Sequence, residues 1–271
     1  MKLKLIIVFF LILSGTVWLV IISSINSRIY SRNLISAIDE SNYARLEELL
    51  DKKGNVDAKP YSNFHAFFLE IFNDPPLFYA IRKGDIESVK MLLEHGANVN
   101  LESDDCKPIM VTASSVNVER FDIAHLLLDY GADIDYVDQW GVTPVVNFNV
   151  GHNSDDDYTK GFELFLRFVS LGVIPESSNE FTYGNFLLYA VTTNNVLIVD
   201  YLINSMDYNI LSTGKDRVSA LIRASQYHST LVVEYLLEQG VDTSYRDDYN
   251  KTVYDYAFEK NYSDIINLLK P

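Results

Sequence analysis

From Pro75 to Asn100 the chain reads "PPLFYAIRKGDIESVKMLLEHGANVN", two short apolar stretches separated by polar positions. Gly84 interrupts the apolar pattern, and glycine is unfavourable inside a helix. Gly96 closes the second stretch, where a C′ glycine sits. The pattern predicts helix, tight turn, helix, and then a loop at "GANVN". Two helices this short cannot bury their apolar faces alone. They need neighbours of the same kind, and the chain supplies them.

The unit returns at Lys107–Asp135 and at Thr143–Pro175, the latter with an insertion between its halves. It returns again at Asn185–Ile210, at Ser219–Ser244 and in "KTVYDYAFEKNYSDIINLLKP" at the end. A degenerate first copy is "NLISAIDESNYARLEELLDKKGNVD", Asn33–Asp57. The register holds: Pro76 to Pro108 is a step of 32, Phe186 to Ala220 one of 34, and Ala220 to Val253 one of 33. Thr143 is placed to cap a first helix with Pro144 at its first position. Ala80, Ala190, Ala224 and Ala257 are small where neighbouring helices approach closely. "MLL", "LLL", "YLI" and "YLL" form the apolar face of the second helices, and Gly96, Gly131, Gly172 and Gly240 permit positive φ at their ends. Asn250 stands in for a hairpin glycine and tolerates the left-handed region. Met206 replaces a helix-ending glycine, and Cys106 stands near another hairpin position.

A period near 33 with "PPLFYAIRKGD", "LLEHGANVN" and "DQWGVTP" resembles the ankyrin-repeat family, from about Asn33 to the end. The resemblance implies an all-α solenoid of about seven helix-turn-helix units with hairpin loops. Two insertions depart from the pattern. Residues 58–74, rich in Phe and Tyr, separate the first two units, and 149–161 split the fourth. The first is expected to add a helix packing on the stack, with a binding role as the alternative.

Ahead of the repeats, "MKLKLIIVFFLILSGTVWLVIISS" places Lys2 and Lys4 before an apolar run from about Leu5 to Ile22, uncharged until Arg28. The run nearly spans a hydrocarbon core of about 30 Å as a helix. It is apolar on every side, which disfavours a core helix. "SSINS" is a poor cleavage site, so an uncleaved signal anchor is favoured over a cleaved signal. The expected layout is a short cytoplasmic N-terminus at 1–4, a transmembrane helix at 5–25, a linker at 26–32 and the repeats at 33–271. Lys2, Lys4 and the terminal amine outnumber Arg28 and Arg32, which puts the repeats outside the cytoplasm. In a bacterium that is a single-pass inner-membrane protein with a periplasmic body.

The 271 residues are 48% hydrophobic, enough for a sizeable core. A formal charge of −15 and a pI near 4.6 argue against nucleic acid as a partner. They are compatible with a basic partner, although an acidic balance mainly serves solubility. The single cysteine, Cys106, excludes an intrachain disulfide and a cysteine-rich zinc site.

No catalytic, cofactor or metal motif emerges. "STGKD" (Ser212–Asp216) lacks the spacing of a phosphate-binding loop. "GHNSDDD" sets His152 beside Asp155, Asp156 and Asp157 without the spacing of a calcium loop, and solvated acidic loops are common. His95 lies at the end of a second helix, where the helix dipole favours a cation. His125 sits among apolar residues, as a packed side chain would.

The ankyrin resemblance implies protein binding through hairpin tips and the exposed positions of first helices. On matching positions these are Gln139, Trp140 and Val142 at one tip and Asp248, Tyr249 and Lys251 at another. Arg82 with Lys83, Gln226 with Tyr227, and Glu259 with Lys260 fall at the ends of first helices. Tyr136, Phe181, Tyr183 and Tyr245 lie in inter-repeat loops. Exposed Trp and Tyr are frequent interface anchors; the alternative is that some pack on their own repeat. The expected function is non-enzymatic protein binding at the membrane. In layout the chain resembles effector-immunity ankyrin proteins, which implies a basic secreted effector, such as a phospholipase, as partner. The alternatives are an envelope scaffold or assembly factor, and an enzyme or metal-dependent activity in the insertions.

Overall fold

The computed structural model describes residues 2–61, 73–102, 107–109, 112, 119–137, 143–147, 155–173 and 186–270. The chain folds as two compact units, Met1–Ala132 and Asp133–Pro271.

In the first unit, α1 (Lys2–Asp39) is a helix of 38 residues. It continues straight through 26–32, read above as a linker. The reason is local: neither proline nor glycine occurs between Gly15 and Gly54. These residues are also packed. Ser31 is buried, and the Tyr30 hydroxyl donates to the Leu49 carbonyl at 3.2 Å. Tyr30 lies so close to Gly54 that a Cβ there would stand 2.7 Å from its ring. Further up α1, Trp18, Leu19, Val20, Ile21, Ile22 and Ile25 are all exposed. Among the described residues no helix is long and apolar enough to cross a membrane. The side chains of residues 1–17, which hold most of the apolar run, lie outside them.

The last turns of α1 pair with α2 (Tyr43–Leu50), and α3 (Pro76–Lys83) pairs with α4 (Ile86–Glu94). α3 begins on Pro76, where a missing N–H costs nothing, and stops at Gly84 with φ 74°. Asp85 then caps α4, accepting from the Ser88 N–H at 3.1 Å, and takes the Tyr43 hydroxyl at 3.3 Å from α2. Buried Leu46, Leu50, Leu77, Ile81, Val89 and Leu92 fill the space between the pairs. α5 (Arg120–Asp129) packs on α4 and buries Phe121, Ile123, Leu127 and Leu128. Most of the 58–74 insertion lies outside the described residues. Its base is tied where the Tyr61 N–H donates to Asn73 Oδ1 at 2.9 Å.

The second unit holds α6 (Pro144–Asn147), α7 (Asp155–Ser170), α8 (Phe186–Ala190), α9 (Val196–Asn204), α10 (Ala220–Gln226), α11 (Thr230–Glu238), α12 (Val253–Glu259) and α13 (Ser263–Leu268). α6 starts at Pro144, as the Thr-Pro signal predicts. The 149–161 insertion is not all loop: from Asp155 it is the opening of α7, which is why that helix runs to 16 residues. Tyr158, inside the insertion, receives Asn194 Nδ2 on its hydroxyl at 3.0 Å and Asn195 Nδ2 on its carbonyl at 2.9 Å. The extension is therefore fastened to the next helical turn. Phe165 packs against Phe186 and edge-on to Tyr201.

Where Met206 replaces a helix-ending glycine, the left-handed conformation falls one residue later, on Asp207, φ 58°. Asn250 does so at φ 59°, in its predicted role.

Candidate interaction surface

Each unit offers one region built from predicted contact residues. In the first unit, α3 ends in Arg82 and Lys83 beside the last turns of α1. Together with Arg32, Ile35, Tyr61 and Tyr79 they line a cleft of about 780 Å³. Arg82 Nε donates to the buried Asp74 carboxylate at 3.0 Å. Lys83 donates to the Asp39 carbonyl at 2.9 Å, to the Ser41 hydroxyl at 3.0 Å and to the Ile38 carbonyl. Those carbonyls end α1, so the ammonium neutralises the negative end of that helix. Tyr79 donates to Asp39 Oδ1 at 3.0 Å; burial and then this carboxylate push its phenol above the ordinary range. Lys83, predicted as a contact, is thus committed to holding α1 on α3.

In the second unit the tip of the hairpin before α12 is shaped by Asp247, which is buried. Its Oδ1 accepts the N–H groups of Tyr249 at 2.9 Å and Lys251 at 3.0 Å, and its Oδ2 accepts the Tyr256 hydroxyl at 2.6 Å. Burial, and next the Asp247 carboxylate, push the Tyr256 phenol up to about 12. Asn250 closes the turn, donating to the Asp247 carbonyl. The result lifts Tyr249 into solvent, 63% exposed.

The preceding loop, "STGKD" with Arg217, braces this tip. The Asp248 N–H donates to the Asp216 carbonyl at 3.0 Å, and the Tyr249 hydroxyl reaches Asp216 Oδ2 at 3.3 Å. The Asp216 charge raises the Tyr249 phenol. The Tyr245 hydroxyl donates to the Arg217 carbonyl at 3.0 Å, and the Arg217 guanidinium lies over the Tyr245 ring and 3.8 Å from Asp248. Lys251 is held by Glu259 at 2.7 Å. Gln226 accepts from Arg223 at 3.2 Å, while Tyr227 beside it is exposed.

Tyr245, Asp248, Tyr249 and Lys251 are therefore brought together. Tyr136 is half-buried in its loop. Gln139, Trp140, Val142, Phe181 and Tyr183 lie outside the described residues, as does His152. Reading the sequence missed Asp216, Arg217 and Asp247. The repeat itself carried a signal, because Asp216 precedes Tyr249 by one 33-residue period, which brings the two loops side by side. It also missed Tyr254 and Phe258, exposed rings stacked at 6.0 Å on α12. One period earlier, the equivalent positions, Leu221 and Ser225, are buried.

Comparison with known proteins agrees with this architecture. A family profile described as ankyrin repeats (3 copies) matches residues 34–138 and 175–271. The putative ankyrin repeat protein YahD of Escherichia coli (strain K12) is 26% identical over 196 residues, covering 70% of this chain and 92% of that protein. The chain spans 16% and 20% of the length of two other curated relatives. The human ASB11 ankyrin repeat domain superposes with a TM-score of 0.60 at 19% identity, covering 88% of this chain and 98% of that one. A chain of the complex between the predatory endopeptidase Bd0816 from Bdellovibrio bacteriovorus and the immunity protein Bd3460 superposes at 0.52 and 19% identity, covering 71% and 95%. At these identities the structural matches speak to the fold alone.

Proposed function

We propose that this chain, which belongs to the ankyrin-repeat family, is a non-enzymatic immunity protein that occludes a basic secreted effector outside the cytoplasm. Ankyrin repeats are protein-interaction modules, and the finer reading rests chiefly on one observation. Tyr249 stands exposed at a hairpin tip ringed by Asp216, Asp247 and Asp248, in a chain of net charge −15. An aromatic anchor set among carboxylates suits a cationic surface, which it draws in by long-range attraction and holds by ring burial. The likeness in fold to a chain from an endopeptidase–immunity complex supports the same reading. So does the run of exposed apolar residues from Trp18 to Ile25 on α1, which suits a helix surrounded by lipid.

Two experiments test it. In the first, effectors from neighbouring genes are produced with and without this chain in the envelope. Protection by the wild type, weakened by Tyr249→Ala and further by Asp248→Lys, is expected; protection that is equal in all three variants overturns the interface. In the second, alkaline phosphatase is fused after Pro271. An active phosphatase is expected, and an inactive one beside an active cytoplasmic reporter overturns the orientation.

A further inference from the structure

We propose that Glu47, Asp51 and His95 form a divalent-cation site of the zinc class that clips the first helix pair to the second. Glu47 and Asp51 are one turn apart, so both carboxylates share one face at the end of α2. His95 is the C-cap of α4, which packs on α2. One donor atom from each of the three lies within 4.8 Å of the others, and His95 Nε2 is 3.8 Å from Glu47 Oε1.

The histidine is oriented as a metal ligand is. Its Nδ1 lies 2.8 Å from the Met91 carbonyl. A carbonyl only accepts, so Nδ1 carries the hydrogen and, in the neutral ring, the Nε2 lone pair is left facing the Glu47 carboxylate. Three lone-pair donors facing one another repel unless a cation sits among them. The field favours one, because α2 and α4 both end here and the negative ends of the two helix dipoles add to the potential. Lys52, the ammonium nearest in sequence, is held by Glu48 at 3.1 Å.

The donor set selects the ion. One imidazole nitrogen with two carboxylates suits zinc and its first-row neighbours, whereas calcium and magnesium take oxygen. Zinc bonds of about 2.0–2.2 Å require the donors to draw closer together than they stand. Glu47 can move in by side-chain rotation, since its side chain is half exposed. A water would take the remaining position. The three ligands belong to the first unit, whereas the hairpin tip that carries the proposed function belongs to the second.

Zinc chloride titrated calorimetrically into the metal-free full-length chain at near-neutral pH tests the proposal. Saturable binding of one equivalent is expected. His95→Ala and Glu47→Gln should each weaken it by about tenfold or more, the size of effect seen for groups that set metal ligation. His228→Ala, which removes a histidine paired with Asp264 instead, should leave it unchanged. Cobalt in place of zinc should give a visible absorption band that His95→Ala abolishes. A flat zinc titration means that His95 and Glu47 form an ion pair only and overturns the site. So does binding that survives both variants, or calcium binding as tight as zinc. Circular dichroism of each variant shows that the fold is kept, as expected for these partly exposed side chains.

Discussion

Replacing Asp247 by alanine tests how the hairpin tip presents Tyr249. The wild-type carboxylate accepts three hydrogen bonds at 2.9, 3.0 and 2.6 Å and is almost wholly buried. Bonds to a charged group contribute about 1.5–3 kcal/mol each when the partner would otherwise go unpaired. Not all of that is lost, because Tyr249 and Lys251 lie at the surface, where water replaces the acceptor for their N–H groups. The net loss should be about 2–3 kcal/mol, most of it from the turn and from the Tyr256 hydroxyl. Asp247→Asn keeps an oxygen for the two N–H groups and offers an amide N–H to the Tyr256 oxygen. It gives up only the charge, at about 1 kcal/mol. Native-state hydrogen exchange resolves the effect locally: the Tyr249 and Lys251 amides should exchange about 30-fold faster or more in the alanine variant, and about fivefold faster in the asparagine variant. A change under about 0.5 kcal/mol for alanine, or equal losses in the two variants, would refute Asp247 as the organiser of the tip.

Three further outcomes are expected. Gly54→Ala drives a Cβ to 2.7 Å from the Tyr30 ring and should cost about 1–3 kcal/mol in urea unfolding, with Tyr30→Ala relieving the clash; an unperturbed variant would mean that α1 is not seated there. Leu127→Asp puts a carboxylate at a fully buried site, and α4 and α5 should lose exchange protection together, by several kcal/mol; protection unchanged in α4 would break the assigned register. The Asp264 carboxyl is lowered from 3.8 to about 2, first by the Thr230 hydroxyl and then by His228. Its folded-state value is the depressed one, so its contribution is present above 3.8 and is lost as pH falls through about 2. Partial exposure makes that contribution small. Urea midpoints should fall more steeply across this window for wild type than for Asp264→Asn, and parallel curves would remove Asp264 as the cause.

The sequence by itself determined the repeat. Its period, the proline at the start of α3, the glycine after it and the apolar runs of the second helices act within a turn or two of chain, so they can be read from one dimension. Even the substitution at Asn250 was legible, because asparagine tolerates the left-handed region. Only the tertiary structure decided what the exposed polar residues do. Lys83 reads as a free contact residue until α1 ends against it, and Tyr245 and Lys251 read the same way until Arg217 and Glu259 hold them. Residues 26–32 read as a linker until Tyr30 lies on Gly54. The start of α7 reads as loop until Tyr158 receives two asparagines from the next unit. Lys251 and Glu259 are eight residues apart in the last unit; in the other cases the partner lies roughly 20 to 45 residues away along the chain. A helix signal is written in neighbouring residues. The commitment of a side chain is written one repeat away, where many surface residues are compatible with the fold and only packing selects which of them meet.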